Sequence, residues 1–197
     1  MTKFSELLLY NLLIIISLLV LPTTGISQDQ NSTNVTTKDV LADFSPTGWM
    51  GDLKDIKIDV KNSEDPHSLP ICTKISYNPA GDKGWAGIYW QYPSNNWGDN
   101  PQGYNLTGAK ELAFWAKGSE DGVKAEFKVG GITGEYPDSL QTPISTGVIT
   151  LSDKWEQYAI DLAGQNLSHV IGGFCWVTNV NQNPNGCTIY LDDIMYK

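Results

Sequence analysis

Past residue 40 the apolar positions recur in short alternating runs, each closed by Gly, Pro, Asn or Asp, and a period of two predicts strands. The runs are VLADF (40–44), IKIDV (56–60), ICTKISY (71–77), WAGIYWQY (85–92), ELAFWAK (111–117), VKAEFKV (123–129), GVITL (147–151), WEQYAIDL (155–162), IGGFCWV (171–177) and CTIYLDDIMY (187–196). No stretch here keeps a 3.6-residue apolar period through three turns, so very little helix is expected. About ten strands without an internal repeat predict an all-β fold, an antiparallel two-sheet β-sandwich of the jelly-roll kind.

Phase assigns faces. In VKAEFKV, Val123, Ala125, Phe127 and Val129 share one side, and Lys124, Glu126 and Lys128 share the other. In ELAFWAK, Leu112, Phe114 and Ala116 point one way, which leaves Trp115 on a polar face with Glu111 and Lys117. The segment GWAGIYWQYPSNNWGDN (84–100) splits likewise: Ile88, Trp90 and Tyr92 form a core set, and Trp85, Gly87, Tyr89 and Gln91 lie opposite. Trp97 falls in the loop PSNNWGDNPQG, too rich in turn formers for a strand.

The chain begins differently. Residues 1–27 carry an early Lys, an apolar run from Leu7 to Leu21 and small residues near Ser27, the form of a secretory signal. The 15-residue run is short for a membrane span, and an uncleaved anchor is the alternative. Residues 28–39 lack large apolar side chains and are expected to be a disordered polar linker, so the sandwich domain is placed at 40–197.

Composition narrows the partners. The net charge is −9 and every one of the 13 basic residues is Lys. Nucleic acid is excluded, because an acidic chain repels it and no Arg supplies a bidentate fork for phosphate. Asn-x-Ser/Thr tripeptides at Asn31, Asn34, Asn105 and Asn166 fit an exported chain, secreted or held at the cell surface.

Three constellations bear on chemistry. Sugar sites pair a flat aromatic with amides and carboxylates that hydrogen-bond in its plane. Tyr89, Gln91, Asn95, Asn96, Trp97 and Asp99 supply that mixture, with Trp115 and Glu126 expected to extend it on a neighbouring strand; the bland alternative is tryptophans in the core and asparagines in turns. A calcium ion needs six to eight oxygens, and Asp52, Asp192 and Asp193 would converge if the first and last strands pair; the alternative is a surface Asp pair at a strand end. Two adjacent Asp residues in a strand also predict that one is inward or bulged. Catalysis by paired carboxylates would draw on Glu126, Glu135 and Asp138, but no spacing fixes two of them, and an enzyme is not expected. His67 and His169 are isolated.

Three cysteines leave one unpaired. A hairpin turning at NQNPNG would set Cys175 opposite Cys187 within disulfide reach, and two buried thiols fit the same residues.

The combination of GWMGD, GWAGIYWQYPSNNWGD, LTGAKELAFWAKG, WEQYAIDL and TIYLDDIMY resembles the galactose-binding-like β-sandwich domains, which include many carbohydrate-binding modules of secreted glycoside hydrolases. The resemblance runs from about residue 44 to 197. It implies a jelly roll, a ligand face on the concave sheet or its edge loops, and a structural calcium near the chain ends. Asp192 or Asp193 matches the calcium role by motif, and Asp52 by position only. No catalytic domain accompanies the module in this sequence, so the expectation is a freestanding exported binder of a polysaccharide or glycan, attached to the surface, if at all, through its N-terminus. A cell-surface or matrix structural protein without glycan binding is the alternative, and a glycoside hydrolase relative is the second.

Overall fold

The computed structural model describes residues 37–197; the apolar segment 1–27 and most of the linker lie outside the described residues. Among the described residues no helix is long and apolar enough to cross a membrane. Eleven strands run in chain order: β1 Lys38–Asp39, β2 Ser45–Gly51, β3 Ile56–Asn62, β4 Cys72–Tyr77, β5 Trp85–Gln91, β6 Glu111–Gly118, β7 Val123–Val129, β8 Ile144–Leu151, β9 Glu156–Asp161, β10 Gly172–Asn179 and β11 Cys187–Tyr196. They form two antiparallel sheets. One has the order β3-β4-β11-β6-β9 with β1 also on β11, and the other has the order β2-β5-β10-β7-β8.

Alternation puts one face of each strand into the space between the sheets. Phe114 of the first sheet meets Phe127 and Phe174 of the second at ring-centroid distances of 4.7 and 5.2 Å, and Trp90 meets Phe174 at 5.4 Å. Val123, Ala125, Phe127 and Val129 are all buried, as their phase predicts, and Lys124 is exposed. Burial of such side chains stabilises by about 1.5–3 kcal/mol each.

Three local expectations change. VLADF is not a strand: Val40–Asp43 make one helical turn, α1, because the Asp39 carboxylate accepts the Leu41 and Ala42 N–H groups as an N-cap. The strand lies just before it, within the expected linker, where Lys38 pairs with Tyr196 and Asp39 with Met195. SPTGWMG is a strand despite Pro46, which a sheet edge tolerates; β2 pairs with β5 alone.

The chain crosses between sheets at most connections, and this overturns the cysteine hairpin. Cys175 on β10 faces Tyr89 and Lys128 as partners, whereas Cys187 on β11 pairs with Tyr77 in the other sheet. Cys72, Cys175 and Cys187 are all free thiols. Burial raises the Cys72 thiol to about 11 and the Cys187 thiol to about 12.

In β11 the adjacent Asp192 and Asp193 form a bulge. The register against β6 shifts between Asp192 and Met195, and Asp193 has a φ of 47°. Ile189 and Leu191 face the core before the bulge, and Ile194 and Tyr196 face it afterwards, so both carboxylates stay on the outer side.

Candidate functional site

The outer face of the five-stranded sheet is open beside Trp85 and is covered farther along, where Tyr89 and Cys175 pack with Ile132 and Ile171 in a small second core. Across the face Met50, Gly87, Val177, Glu126 and Val148 stand in register, and the next row runs Tyr89, Cys175 and Lys128. Trp85 shares the phase of Gly87 and Tyr89 and projects from the start of β5, 40% exposed. Trp97 rises at the other end, 42% exposed, its ring edge-on to Tyr89 at 6.1 Å. Between them the floor is low at Gly87, where an added Cβ would lie 2.6 Å from Val177 Cγ1 and 3.1 Å from Met50 Cε. A cavity of about 240 Å³ beside Trp85 is lined by Glu126, Lys128, Val177, Asn179 and Gln182 among others. The Lys128 ammonium lies 3.1 Å from the Glu126 carboxylate, which also accepts from Ser145 Oγ at 2.6 Å.

Trp97 is held by a loop whose backbone groups are satisfied from inside. The buried Asn96 side chain donates through Nδ2 to the carbonyls of Tyr92, Asn100 and Gln102, and its Oδ1 accepts the Gly98 and Asn100 N–H groups. Gln91 Nε2 donates to the Asn96 carbonyl at 2.8 Å, Thr47 Oγ1 donates to Gln91 Oε1, and Asn95 N–H donates to Thr47 Oγ1. Turn formers dominate here for this reason: short polar side chains replace the hydrogen bonds a strand would supply.

A second loop, 130–143, locks against the first. Tyr136 N–H donates to the Gly98 carbonyl at 2.8 Å. Gly98 has a φ of 88° and leaves no room for a Cβ, which would sit 2.2 Å from the Thr133 carbonyl oxygen. His169 links both loops, with Nδ1 2.8 Å from the Pro137 carbonyl and Nε2 3.2 Å from that of Pro101. Asp138 anchors the second loop by accepting the N–H groups of Ile132, Ile171 and Gly172. Burial raises its carboxyl above the ordinary range, and these bonds offset the effect only in part.

The expected ligand residues therefore divide. Trp97 and Glu126 lie on the open face. Tyr89 and Gln91 lie beneath it, 7% and 0% exposed. Tyr89 donates to the Gly130 carbonyl at 2.9 Å, and burial pushes its hydroxyl far above its usual range. Both support Trp97 from below. Trp85, omitted from the expected set, is the second exposed ring; its phase with Tyr89 was the available signal.

Trp115 does not join them, because β6 belongs to the other sheet, where the ring is half-buried under a loop. The β3–β4 loop, residues 63–71, folds over it and stacks His67 on Trp115 at 3.8 Å between centroids. Trp155 Nε1 donates to the Asp65 carbonyl, Lys117 pairs with the Asp65 carboxylate, and Lys74 pairs with Glu64 at 2.8 Å. The expectation that Trp115 and Glu126 sit on neighbouring strands is corrected by the crossing between β6 and β7.

The closing Asp pair clamps the same loop. Asp192 accepts the Ser68 and Asp193 N–H groups, and Asp193 accepts from Ser68 Oγ and faces His67 Nδ1 at 2.9 Å. Asp52 is elsewhere, accepting the Gly84 N–H near the Cys187 end of β11. The first and last strands do pair, but the three carboxylates do not converge. Among the described residues no group of three His, Cys, Asp or Glu is placed to hold a metal. Each Asp192 oxygen meets an N–H donor, as a loop clamp requires.

No family model matches the chain, and no curated protein matches it. Solved structures do match in fold. The chain is similar to a family 30 carbohydrate-binding module at TM-score 0.57 and 12% identity, covering 82% of this chain and 98% of that one. It is similar to the family 30 module of the cellulosomal cellulase Cel9D-Cel44B of Clostridium thermocellum at TM-score 0.55 and 15% identity, covering 81% and 97%. The family 11 module of cellulosomal cellulase Lic26A-Cel5E of the same organism matches at TM-score 0.50 and 14% identity, covering 82% and 94%. At such identities the likeness shows a carbohydrate-binding-module fold.

Proposed function

We propose that the chain is a noncatalytic, exported carbohydrate-binding protein that lays a polysaccharide along β5 on the open face of the five-stranded sheet. The observation that carries this is the pair of exposed rings, Trp85 and Trp97, at the two ends of one low-floored surface. From Trp85 to Tyr89, which supports Trp97, is four strand residues, or about 13 Å at 3.3 Å per residue. That length exceeds one pyranose ring, so the surface suits a chain. Trp85 and Trp97 would stack on the C–H faces of two sugars. Glu126, Lys128 and Asn179 beside Trp85 would hydrogen-bond hydroxyls at the edge.

The ligand class is a neutral polysaccharide, since a chain of net charge −9 repels an anionic one. The similar folds named above, two of them modules of cellulosomal cellulases, support the same class and an extracellular setting. Affinity electrophoresis against soluble neutral glucans and mannans, followed by calorimetry with oligosaccharides of increasing length, tests it. Retarded migration that Trp85→Ala and Trp97→Ala each reduce is expected. Unretarded wild-type protein across the panel would instead favour a structural or adhesive role for the exposed tryptophans.

A further inference from the structure

We propose that Asn105 and Asn166 are acceptor sites for N-linked oligosaccharide, displayed together at one end of the sandwich. This rests on export of the chain and not on sugar binding by the tryptophan face. The two tripeptides, Asn105-Leu106-Thr107 and Asn166-Leu167-Ser168, have the same local build. In each the asparagine Oδ1 accepts the N–H two residues on, from Thr107 at 3.0 Å and from Ser168 at 3.1 Å. The oxygen is thus held against the backbone and the Nδ2 amide turned to water. Asn105, Thr107, Asn166 and Ser168 are all exposed.

The middle residue is the anchor. Leu106 and Leu167 are 2% and 1% exposed, and the Leu106 N–H donates to the Leu167 carbonyl at 2.8 Å. Two residues before Leu106 and three after Leu167, Tyr104 and Val170 exchange a pair of backbone bonds. Each acceptor therefore projects outward from a segment pinned to the core, so a bulky adduct extends into solvent without unseating the chain. Asn96 and Asn183, by contrast, spend their Nδ2 hydrogens on carbonyl and hydroxyl partners. Among the described residues the Nδ2 groups of Asn105 and Asn166 have no such partner.

The transfer needs a lipid-pyrophosphate-linked oligosaccharide as donor. Asparagine Nδ2 forms a bond to sugar C1, the bond from C1 to the pyrophosphate oxygen breaks, the amide loses one proton, and the lipid pyrophosphate leaves. The test uses the full chain, carried into a eukaryotic secretory pathway by an added host signal and recovered from the medium. Release with peptide N-glycosidase in heavy-oxygen water should convert Asn105 and Asn166 to labelled Asp, read by peptide mass. Thr107→Ala should remove the label at 105 alone, and Ser168→Ala the label at 166 alone. An unmodified Asn in the secreted protein overturns the assignment at that position, and label that survives its hydroxyl variant overturns the acceptor role.

Discussion

The two outer faces of this sandwich carry similar materials and have opposite fates. Each has two tryptophans with lysines and carboxylates nearby: Trp85 and Trp97 on one, Trp115 and Trp155 on the other. On the six-stranded sheet the chain's own β3–β4 loop covers the aromatics and uses up the polar partners, with His67 on Trp115 and Asp65 on Trp155 and Lys117. On the five-stranded sheet the 130–143 loop covers Tyr89 and Cys175 through Ile132 but leaves Trp85 and Trp97 exposed, with Tyr136 exposed on the loop itself. The lesson is that composition makes a face sticky, while the connections decide whether the protein or a ligand covers it.

The difference can be broken most severely at Asn96. Asn96→Ala removes five hydrogen bonds from a buried position and should destabilise the fold by about 2–4 kcal/mol, seen as a lower chemical-denaturation midpoint. Binding by the residual folded protein should weaken too, because Trp97 loses its platform. A midpoint within error of wild type would show that the loop is not built around this side chain.

Next come the rings themselves. Trp97→Ala and Trp85→Ala should each weaken polysaccharide affinity about ten-fold, or ~1.4 kcal/mol, by calorimetry. Trp115→Ala should leave affinity unchanged to about two-fold while lowering the melting temperature. Equal losses from Trp97 and Trp115 would erase the contrast between the faces.

Acidity acts on both faces in one direction. Asp138 steadies the open face and Asp192 clamps the covering loop, and burial is the largest influence on each, raising both carboxyls. A folded-state value above the unfolded one means that the unfolded state releases its proton first. Stability from these groups is therefore present below the unfolded value near 3.9 and is lost as pH rises through the folded value. Asp138→Asn and Asp192→Asn should each flatten the dependence of melting temperature on pH in that acid window. A variant whose profile parallels wild type would remove its group from the account.

The smallest effect is chemical. With Cys72 and Cys187 raised to about 11 and 12 by burial, the native protein should react slowly with a thiol reagent at pH 8 and yield three thiols on unfolding without reductant. A shortfall on unfolding would indicate a disulfide.

Much of the fold was legible because alternation survives in strands such as VKAEFKV, where one face is core and the other is not. What alternation cannot say is to which sheet a strand belongs. Trp115 and Glu126 stand on consecutive strands and each points outward, yet they point in opposite directions, because the chain changes sheet between them. The same ambiguity produced the Cys175 and Cys187 hairpin: a turn-rich link reads alike whether it folds back beside its strand or crosses to another sheet. Trp85 could have been found, since it keeps step with Tyr89. Asn96 could not, for nothing local distinguishes an asparagine that organises a loop from one that merely occupies it.

The bulge at Asp193 has a last consequence, for what changes this chain can tolerate. Up to Leu191 the closing strand pairs with β4, and beyond the bulge it pairs with β1, with β6 along its other edge. One extra residue resets the parity between those two stretches, much as a spacer sets the timing of two gears. Exchanging Asp193 for another side chain should disturb the clamp on the covering loop. Deleting it would leave Ile194 and Tyr196 facing inward on a regular strand, with Asp192 still opposite Trp115 and Met195 opposite Ala113, so the cost of either change falls on the loop clamp and not on the core.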